Sequence, residues 1–111
     1  VVNSETIYLR PPYGNINSNI KEISNMYTIL WDLDTEDWKY KDATRIANYI
    51  VENAHDGAIV LLHDLYETSV DGALLAMEKL QNEGYAFVTI EEMATLKNIK
   101  LDKTKSYFSI K

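Results

Sequence analysis

The chain has 111 residues, of which 46% are hydrophobic and 25% charged, a composition typical of one globular domain and not of a disordered or fibrous chain. Its net charge of -6 excludes the basic surface that nucleic-acid binding requires, and the absence of cysteine excludes a disulfide framework and a thiol nucleophile. The longest apolar run, residues 58–62, is too short to span a bilayer, so we expect no transmembrane segment. The first residue is Val and no signal peptide is visible, so we expect a piece of a longer protein.

Short continuous apolar runs are typical of parallel strands that are buried on both faces. Four such runs occur in chain order, at residues 6–9, 26–33, 58–62 and 86–90. The connection 16–24 has room for one further helical turn. The sequence therefore predicts four strands.

Helical patterns lie between and after these strands. The first has apolar residues at i, i+3, i+4 and i+7 and Asp42 as its N-cap; they are Ala43, Ile46, Ala47 and Ile50. The second begins at Thr68 or Ser69 and ends at Gly84, with an apolar stripe of Val70, Ala73, Leu74, Met77 and Leu80. Thr89 and Glu92 fit a capping box that opens a third helix.

The alternation of strands and helices predicts an α/β fold, with right-handed crossovers and a parallel sheet covered by helices. So few strands leave an apolar edge open, and proteins avoid exposing such an edge. We therefore expect a missing half to pair with this one. The tail, residues 98–111, either packs back as a terminal strand or frays.

Polar clusters come directly after three of the four predicted strands. They are Arg10 to Gly14 after the first, Asp32 to Trp38 after the second, and His63 with Asp64 after the third. Because the carboxyl ends of parallel strands meet at one edge of a sheet, we expect arginine, carboxylates and histidine to converge there.

Each cluster also has a plainer interpretation. The two prolines and Gly14 suit an ordinary turn. The alternating acids suit a calcium loop, but its sixth and twelfth positions would be Asp37 and Ala43 instead of Gly and Glu. Taken singly, Trp38 and His63 are each more simply explained as core residues. His55 ends a helical segment, where a cation is favourable, and is interpreted as structural.

In order and spacing, the three clusters resemble the last three of the five motifs of the NodB-homology polysaccharide deacetylases, carbohydrate esterase family 4. Arg10 to Gly14 resembles the third motif, Asp34 to Trp38 the fourth, and Leu61 to His63 the fifth. The resemblance implies the C-terminal part of a distorted (β/α) barrel with parallel strands. Residues 1–97 would form the C-terminal half of the deacetylase domain, and residues 98–111 its tail.

The resemblance also implies roles for individual residues. His63 would be the general acid that protonates the leaving nitrogen, and Asp34 would hold its ring and favour the charged form. Arg10 would align the catalytic Asp of the first motif. Asp37 would shape the loop.

Four further residues would bind the substrate. The backbone N–H of Tyr13 would contribute to the oxyanion hole, and Pro12 would keep that turn rigid. Trp38 and Leu61 would form the apolar walls of a pocket for the acetyl methyl group.

The first two motifs, which carry the base and the metal ligands in this family, do not occur in these 111 residues. The resemblance thus implies a divalent metal, zinc or cobalt or nickel, with no ligand from this chain, and the N-terminal half of the same domain as a partner. It also implies an extracellular or cell-surface location.

The expected substrate is an acetylated polysaccharide, with peptidoglycan N-acetylglucosamine favoured by composition. The alternatives are chitin or chitooligosaccharides, acetylxylan, and a non-catalytic carbohydrate-binding remnant of the fold. A signalling receiver is disfavoured because Val88, Thr89 and Ile90 stand where its last strand would end in Lys.

Overall fold

The computed structural model describes residues 8–11 and 25–111. This part of the chain contains five short strands and three helices, as expected for an α/β fold. In order they are β1 (Tyr8–Leu9), β2 (Tyr27–Ile29), β3 (Leu33–Asp34), α1 (Ala43–Asn53), β4 (Val60–Leu61), α2 (Glu67–Asn82), α3 (Ile90–Leu96) and β5 (Ser106–Tyr107). The helical turn expected at 16–24 lies outside the described residues.

All strand pairs in the described sheets are parallel. β2 lies between β1 and β5, and β3 pairs with β4. The single strand expected at 26–33 is divided into β2 and β3, because its second part changes partner. The backbone N–H groups of Asp32 and Leu33 both donate to the carbonyl of Ile59, at 3.1 and 3.2 Å.

The tail packs back onto the sheet. β5 pairs with β2, and the N–H of Ile110 donates to the carbonyl of Gly57 at 2.8 Å. Ile110 is 2% exposed and packs in one cluster with Ile29 and Ile59. Its burial contributes about 2 kcal/mol of hydrophobic free energy, so this contact helps to hold the tail in place.

The predicted helix pair is confirmed, and it covers one face of β4. α1 begins at the N-cap Asp42, whose side chain accepts a hydrogen bond from the N–H of Arg45. α2 begins at Glu67, earlier than predicted, with Tyr66 in the N-cap position. The two helices share a buried core of Ile46, Ala47, Ile50, Ala76 and Leu80, against which Val60 and Leu62 pack.

The strand expected at residues 86–90 is wrong. Residues 86–89 have no regular structure, and α3 begins at Ile90 behind a complete capping box of Thr89 and Glu92. A strand needs a neighbour that supplies its hydrogen-bond ladder, and within the described residues nothing pairs with this run. The capping box is local to the helix and forms as predicted.

No helix in residues 8–11 and 25–111 is both long enough and apolar enough to cross a lipid bilayer.

Candidate functional site

A cleft of about 840 Å³ opens where β1, β3 and β4 end. The structure brings five of the predicted site residues to its walls, together with three apolar neighbours: Arg10, Asp34, Trp38, Leu61 and His63, then Pro11, Trp31 and Leu62. Pro12 and Tyr13 lie outside the described residues. The expected convergence of arginine, carboxylate and histidine on one rim is therefore present in the geometry.

His63 is held by Asp37 and not by Asp34. Its Nδ1 lies 2.8 Å from Asp37 Oδ1, and its backbone N–H donates to Asp37 Oδ2 at 2.6 Å. The side chain of Asp37 is fully buried, whereas that of His63 is 41% exposed. A buried carboxylate thus fixes both the backbone and the ring of His63.

Asp34 has the role that was expected of Asp37. Its Oδ1 accepts a hydrogen bond from the N–H of Glu36 at 3.0 Å, which closes a tight turn. Glu36 has φ of 51°, a left-handed conformation that is uncommon outside glycine. This turn redirects the chain, so Asp37 is buried beneath His63 while Asp34 stays at the cleft wall. The predicted pairing of Asp34 with His63 is therefore wrong.

Asp37 accepts a third hydrogen bond, from the hydroxyl of Ser69 at 2.6 Å. Burial of Asp37 raises the pKa of its carboxyl, but the hydrogen bonds from Ser69 and from the His63 ring and backbone outweigh it and hold the pKa below its usual range. The carboxylate is ionised, and an ionised carboxylate only accepts hydrogen bonds. Nδ1 of His63 is therefore the donor, and Nε2 is the ring nitrogen that does not bind Asp37.

Arg10, which lines the cleft, is held by two backbone carbonyls. Its Nη2 donates to the carbonyl of Leu30 at 2.9 Å and its Nε to that of Ile29 at 3.3 Å. The guanidinium carbon lies 5.6 Å from the centre of the Trp31 ring, within range of a cation–π contact. Burial lowers the pKa of Arg10, yet an arginine remains charged at neutral pH.

Two apolar side chains, Trp38 and Leu61, also line the cleft. Trp38 is 53% exposed, so it is not the core tryptophan of the plainer interpretation. Leu61 belongs to β4, and its carbonyl accepts a hydrogen bond from the hydroxyl of Thr35 at 3.0 Å. This bond ties the loop that carries Trp38 to the strand that leads into His63.

The sequence did not predict three features of the site: the contact of Asp37 with His63, and the presence of Ser69 and Trp31. Asp37 was one of several acids in a loop, and loop spacing does not determine which way a side chain points. In the sequence Ser69 indicates only a helix start, and its burial, at 1% exposure, is visible only in the structure. A serine inside the first turn of a helix, six residues after the site histidine, was the available signal.

His55 lies away from this cleft. Its Nε2 pairs with Asp32 Oδ2, and its Nδ1 contacts the carbonyl of Asp56. Asp32 also accepts a hydrogen bond from the N–H of Ile59 at 2.9 Å, so its side chain binds the segment between α1 and β4 and does not line the cleft.

The described residues do not fit a metal ion. No group of three His, Asp or Glu side chains in this part of the chain is placed to hold one. Of the two histidines in the sequence, each is paired with an aspartate. A metal would need ligands from beyond residues 8–11 and 25–111.

A comparison with models of known protein families finds no match. The chain is 42% identical over 100 residues to the peptidoglycan-N-acetylglucosamine deacetylase PgdA of Listeria monocytogenes, covering 90% of this chain and 21% of that protein. It is 39% identical over 89 residues to the peptidoglycan-N-acetylmuramic acid deacetylase PdaC of Bacillus subtilis, covering 80% of this chain and 19% of that protein.

The chain is also similar to solved structures over most of its length. The chain superposes on the structure of PdaC with a TM-score of 0.82 and 37% identity, covering 86% of this chain and 47% of that one. It superposes on a family 4 acetyl xylan esterase from Clostridium thermocellum, in complex with a cobalt ion, with a TM-score of 0.87 and 25% identity, covering 96% and 55%. The chain thus spans about a fifth of the curated relatives and about half of these solved chains.

Proposed function

Because this chain belongs to the NodB-type polysaccharide deacetylases of carbohydrate esterase family 4, we propose that the protein containing it removes acetyl groups from peptidoglycan amino sugars, with N-acetylglucosamine as the favoured target. The observation that carries the proposal is the His63 ring, tethered by buried Asp37 at the wall of a cleft that Trp38 and Leu61 also line. The names of the two relatives support the same polymer.

Hydrolysis of an acetamide breaks the C–N bond, and the departing nitrogen needs a proton. His63 is suited to supply it, because its Nδ1–H is bound to Asp37 and its exposed edge lies at the cleft. Asp37 holds the ring through Nδ1, so a protonated ring donates from Nε2. The proton goes to the amine of the sugar, while water provides the hydroxyl of the acetate and gives its other proton to a base outside the described residues.

Trp38 and Leu61 are proposed to hold the acetyl methyl group between them. Both line the same cleft as His63, and the half-exposed Trp38 side chain is available for contact with a sugar ring. Pro12 and Tyr13 are proposed to form the turn whose N–H binds the oxyanion.

Arg10 is proposed to align the catalytic aspartate of another segment. Its guanidinium donates two hydrogen bonds to the carbonyls of Ile29 and Leu30. The guanidinium has further N–H groups that can bind a carboxylate.

The N-terminal half of the same domain is proposed as the partner that completes the site. Helix α2 exposes Val70 and Leu74 beside a smaller cavity of about 220 Å³ that reaches His63. That half would also hold the divalent metal, zinc or cobalt or nickel, since the described residues of this chain do not fit one. A peptidoglycan substrate places the protein outside the cell or at its surface, which we propose as its location.

The test measures acetate release by the full-length protein with Zn²⁺ or Co²⁺, on N-acetylated peptidoglycan, chitooligosaccharides and acetylxylan. We expect peptidoglycan to be the best substrate and His63→Ala to lower kcat by roughly two to four orders of magnitude. Preference for either other polymer would replace the substrate. No acetate from any of the three would support the non-catalytic carbohydrate-binding alternative.

A further inference from the structure

Ser69 lies at the inner end of a hydrogen-bonded chain that reaches the cleft. Its hydroxyl donates to Asp37 Oδ2 at 2.6 Å, and Asp37 Oδ1 binds the Nδ1–H of His63 at 2.8 Å. Ser69 is 1% exposed and Asp37 0%, so the bond between them is shielded from water. This series of hydrogen bonds runs from helix α2, through the loop after β3, to the segment directly after β4.

We propose that Ser69 is a positioning residue that sets the orientation and basicity of the Asp37 carboxylate, and through it the acidity of the His63 ring. The inference rests on the proposed function for its catalytic consequence, but the hydrogen-bonded chain itself does not.

The carboxylate of Asp37 has little freedom in this arrangement. Oδ2 accepts from both the hydroxyl of Ser69 and the backbone N–H of His63, which fixes the carboxylate plane and leaves Oδ1 directed at Nδ1. Without the Ser69 hydroxyl, only one fixed donor remains on Oδ2. The carboxylate then gains freedom to rotate, and the His63 ring loses part of its alignment.

The Ser69 hydroxyl also withdraws electron density from the carboxylate. A carboxylate with one donor fewer is more basic, so its charge favours a protonated His63 ring more, even though the freed carboxylate faces Nδ1 for less of the time. The other charged groups near the ring are Arg10 and Asp34 at the cleft and the neighbouring Asp64, and none of them contacts Ser69 through a hydrogen bond or ion pair in the described residues. Loss of the hydroxyl should therefore make the His63 acid weaker through Asp37 alone.

The placement of Ser69 in α2 is consistent with this role. It lies in the first turn, where a serine would ordinarily cap the helix, yet Tyr66 occupies the N-cap position and makes no side-chain capping bond. The Ser69 hydroxyl is thus used across the fold, 32 positions away in the sequence, and not within its own helix.

The test compares Ser69→Ala, Ser69→Thr and Ser69→Cys in the full-length metal-loaded protein. Ser69→Ala should lower kcat by about tenfold with little change in KM. In a plot of kcat against pH, the limb at basic pH should move up by about half a pH unit. Ser69→Thr retains the hydroxyl and should restore the wild-type limb. Ser69→Cys has similar shape but a weak donor, and should behave like Ser69→Ala.

Thr68→Ala is the matched control, because it removes a hydroxyl from the same helical turn without touching Asp37. A purely structural role of Ser69 would lower the melting temperature and leave the limb in place. An unmoved limb in both Ser69→Ala and Ser69→Cys would overturn the inference.

An NMR measurement separates this inference from the proposed function. The Nδ1–H proton of His63 should be protected from solvent exchange in the wild type and in Ser69→Thr, and should exchange at least several-fold faster in Ser69→Ala. The exchange rate is measured without substrate, so it tests the role of Ser69 even if no acetylated polymer is a substrate. Equal exchange rates in the wild type and in Ser69→Ala would overturn the inference independently.

Discussion

His63 Nδ1 lies 2.8 Å from Asp37 Oδ1, and the same carboxylate also binds the backbone N–H of His63. Asp37 is 26 positions away in the sequence and completely buried, whereas Asp34, three residues earlier, remains exposed. One carboxylate therefore holds both the backbone and the ring of the proposed acid.

The first prediction concerns Asp37→Asn. The protonated ring of His63 would lose its counter-charge. In a plot of kcat against pH, the limb at basic pH should therefore move down by about one pH unit, and kcat itself should fall by about 100-fold. This direction is opposite to that expected for Ser69→Ala. Asp34→Asn is the matched control, because it changes a cleft carboxylate that does not touch His63, and its limb should not move. A larger shift in Asp34→Asn than in Asp37→Asn would contradict the assignment.

The second prediction is the pH dependence of stability that Asp37 confers. Its hydrogen bonds hold its pKa below the usual range, so it stabilises the fold above the unfolded value of about 4, and this contribution is lost as the pH falls through the lower folded value. Asp37→Asn should therefore cost about 2 kcal/mol of unfolding free energy at pH 7, and the difference from wild type should shrink below about pH 4. Urea unfolding from pH 3 to 7 measures it. A difference that grew towards acid pH would show that Asp37 is not ionised in the fold.

The third prediction concerns how Arg10 is held. An ammonium group cannot contact the carbonyls of Ile29 and Leu30 with the planar geometry of a guanidinium while lying over Trp31, so Arg10→Lys should lower kcat/KM by about tenfold despite its retained charge. Trp31→Leu removes only the ring and should have a smaller effect in the same direction, while Trp31→Phe should retain most activity. Full activity in Arg10→Lys would show that charge alone is sufficient.

The fourth prediction tests the docking of the tail at Gly57. Gly57 has φ of 83°, and a Cβ there would lie 1.9 Å from the carbonyl oxygen of Ile110. Gly57→Ala should destabilise the fold by about 3 kcal/mol, because backbone strain and a steric clash add. Gly84→Ala is the control: φ is 96° and nothing lies within 4 Å, so only strain of about 1–2 kcal/mol remains. Equal losses in urea unfolding would mean that the tail does not pack tightly against Gly57.

Local patterns explain what could be predicted of the fold. The helix at Ala43–Asn53 and the capping box of Thr89 and Glu92 depend on residues within one or two turns, so their periodicity and caps are visible in the sequence. The strand expected at residues 86–90 has the same local character as the others and still does not form. Strands depend on partners that the local sequence does not contain.

By itself, the sequence determined the α/β class, the helices and the five described residues that reach the cleft: Arg10, Asp34, Trp38, Leu61 and His63. They could be found because the carboxyl ends of parallel strands, and the residues attached to them, meet at one edge of a sheet. Only the tertiary structure decided which carboxylate meets His63. The left-handed turn at Glu36 buries Asp37 and turns Asp34 away, and the Ser69 hydroxyl arrives from a helix much later in the chain. The direction of a side chain in a loop depends on such turns and distant contacts, which residue spacing does not specify.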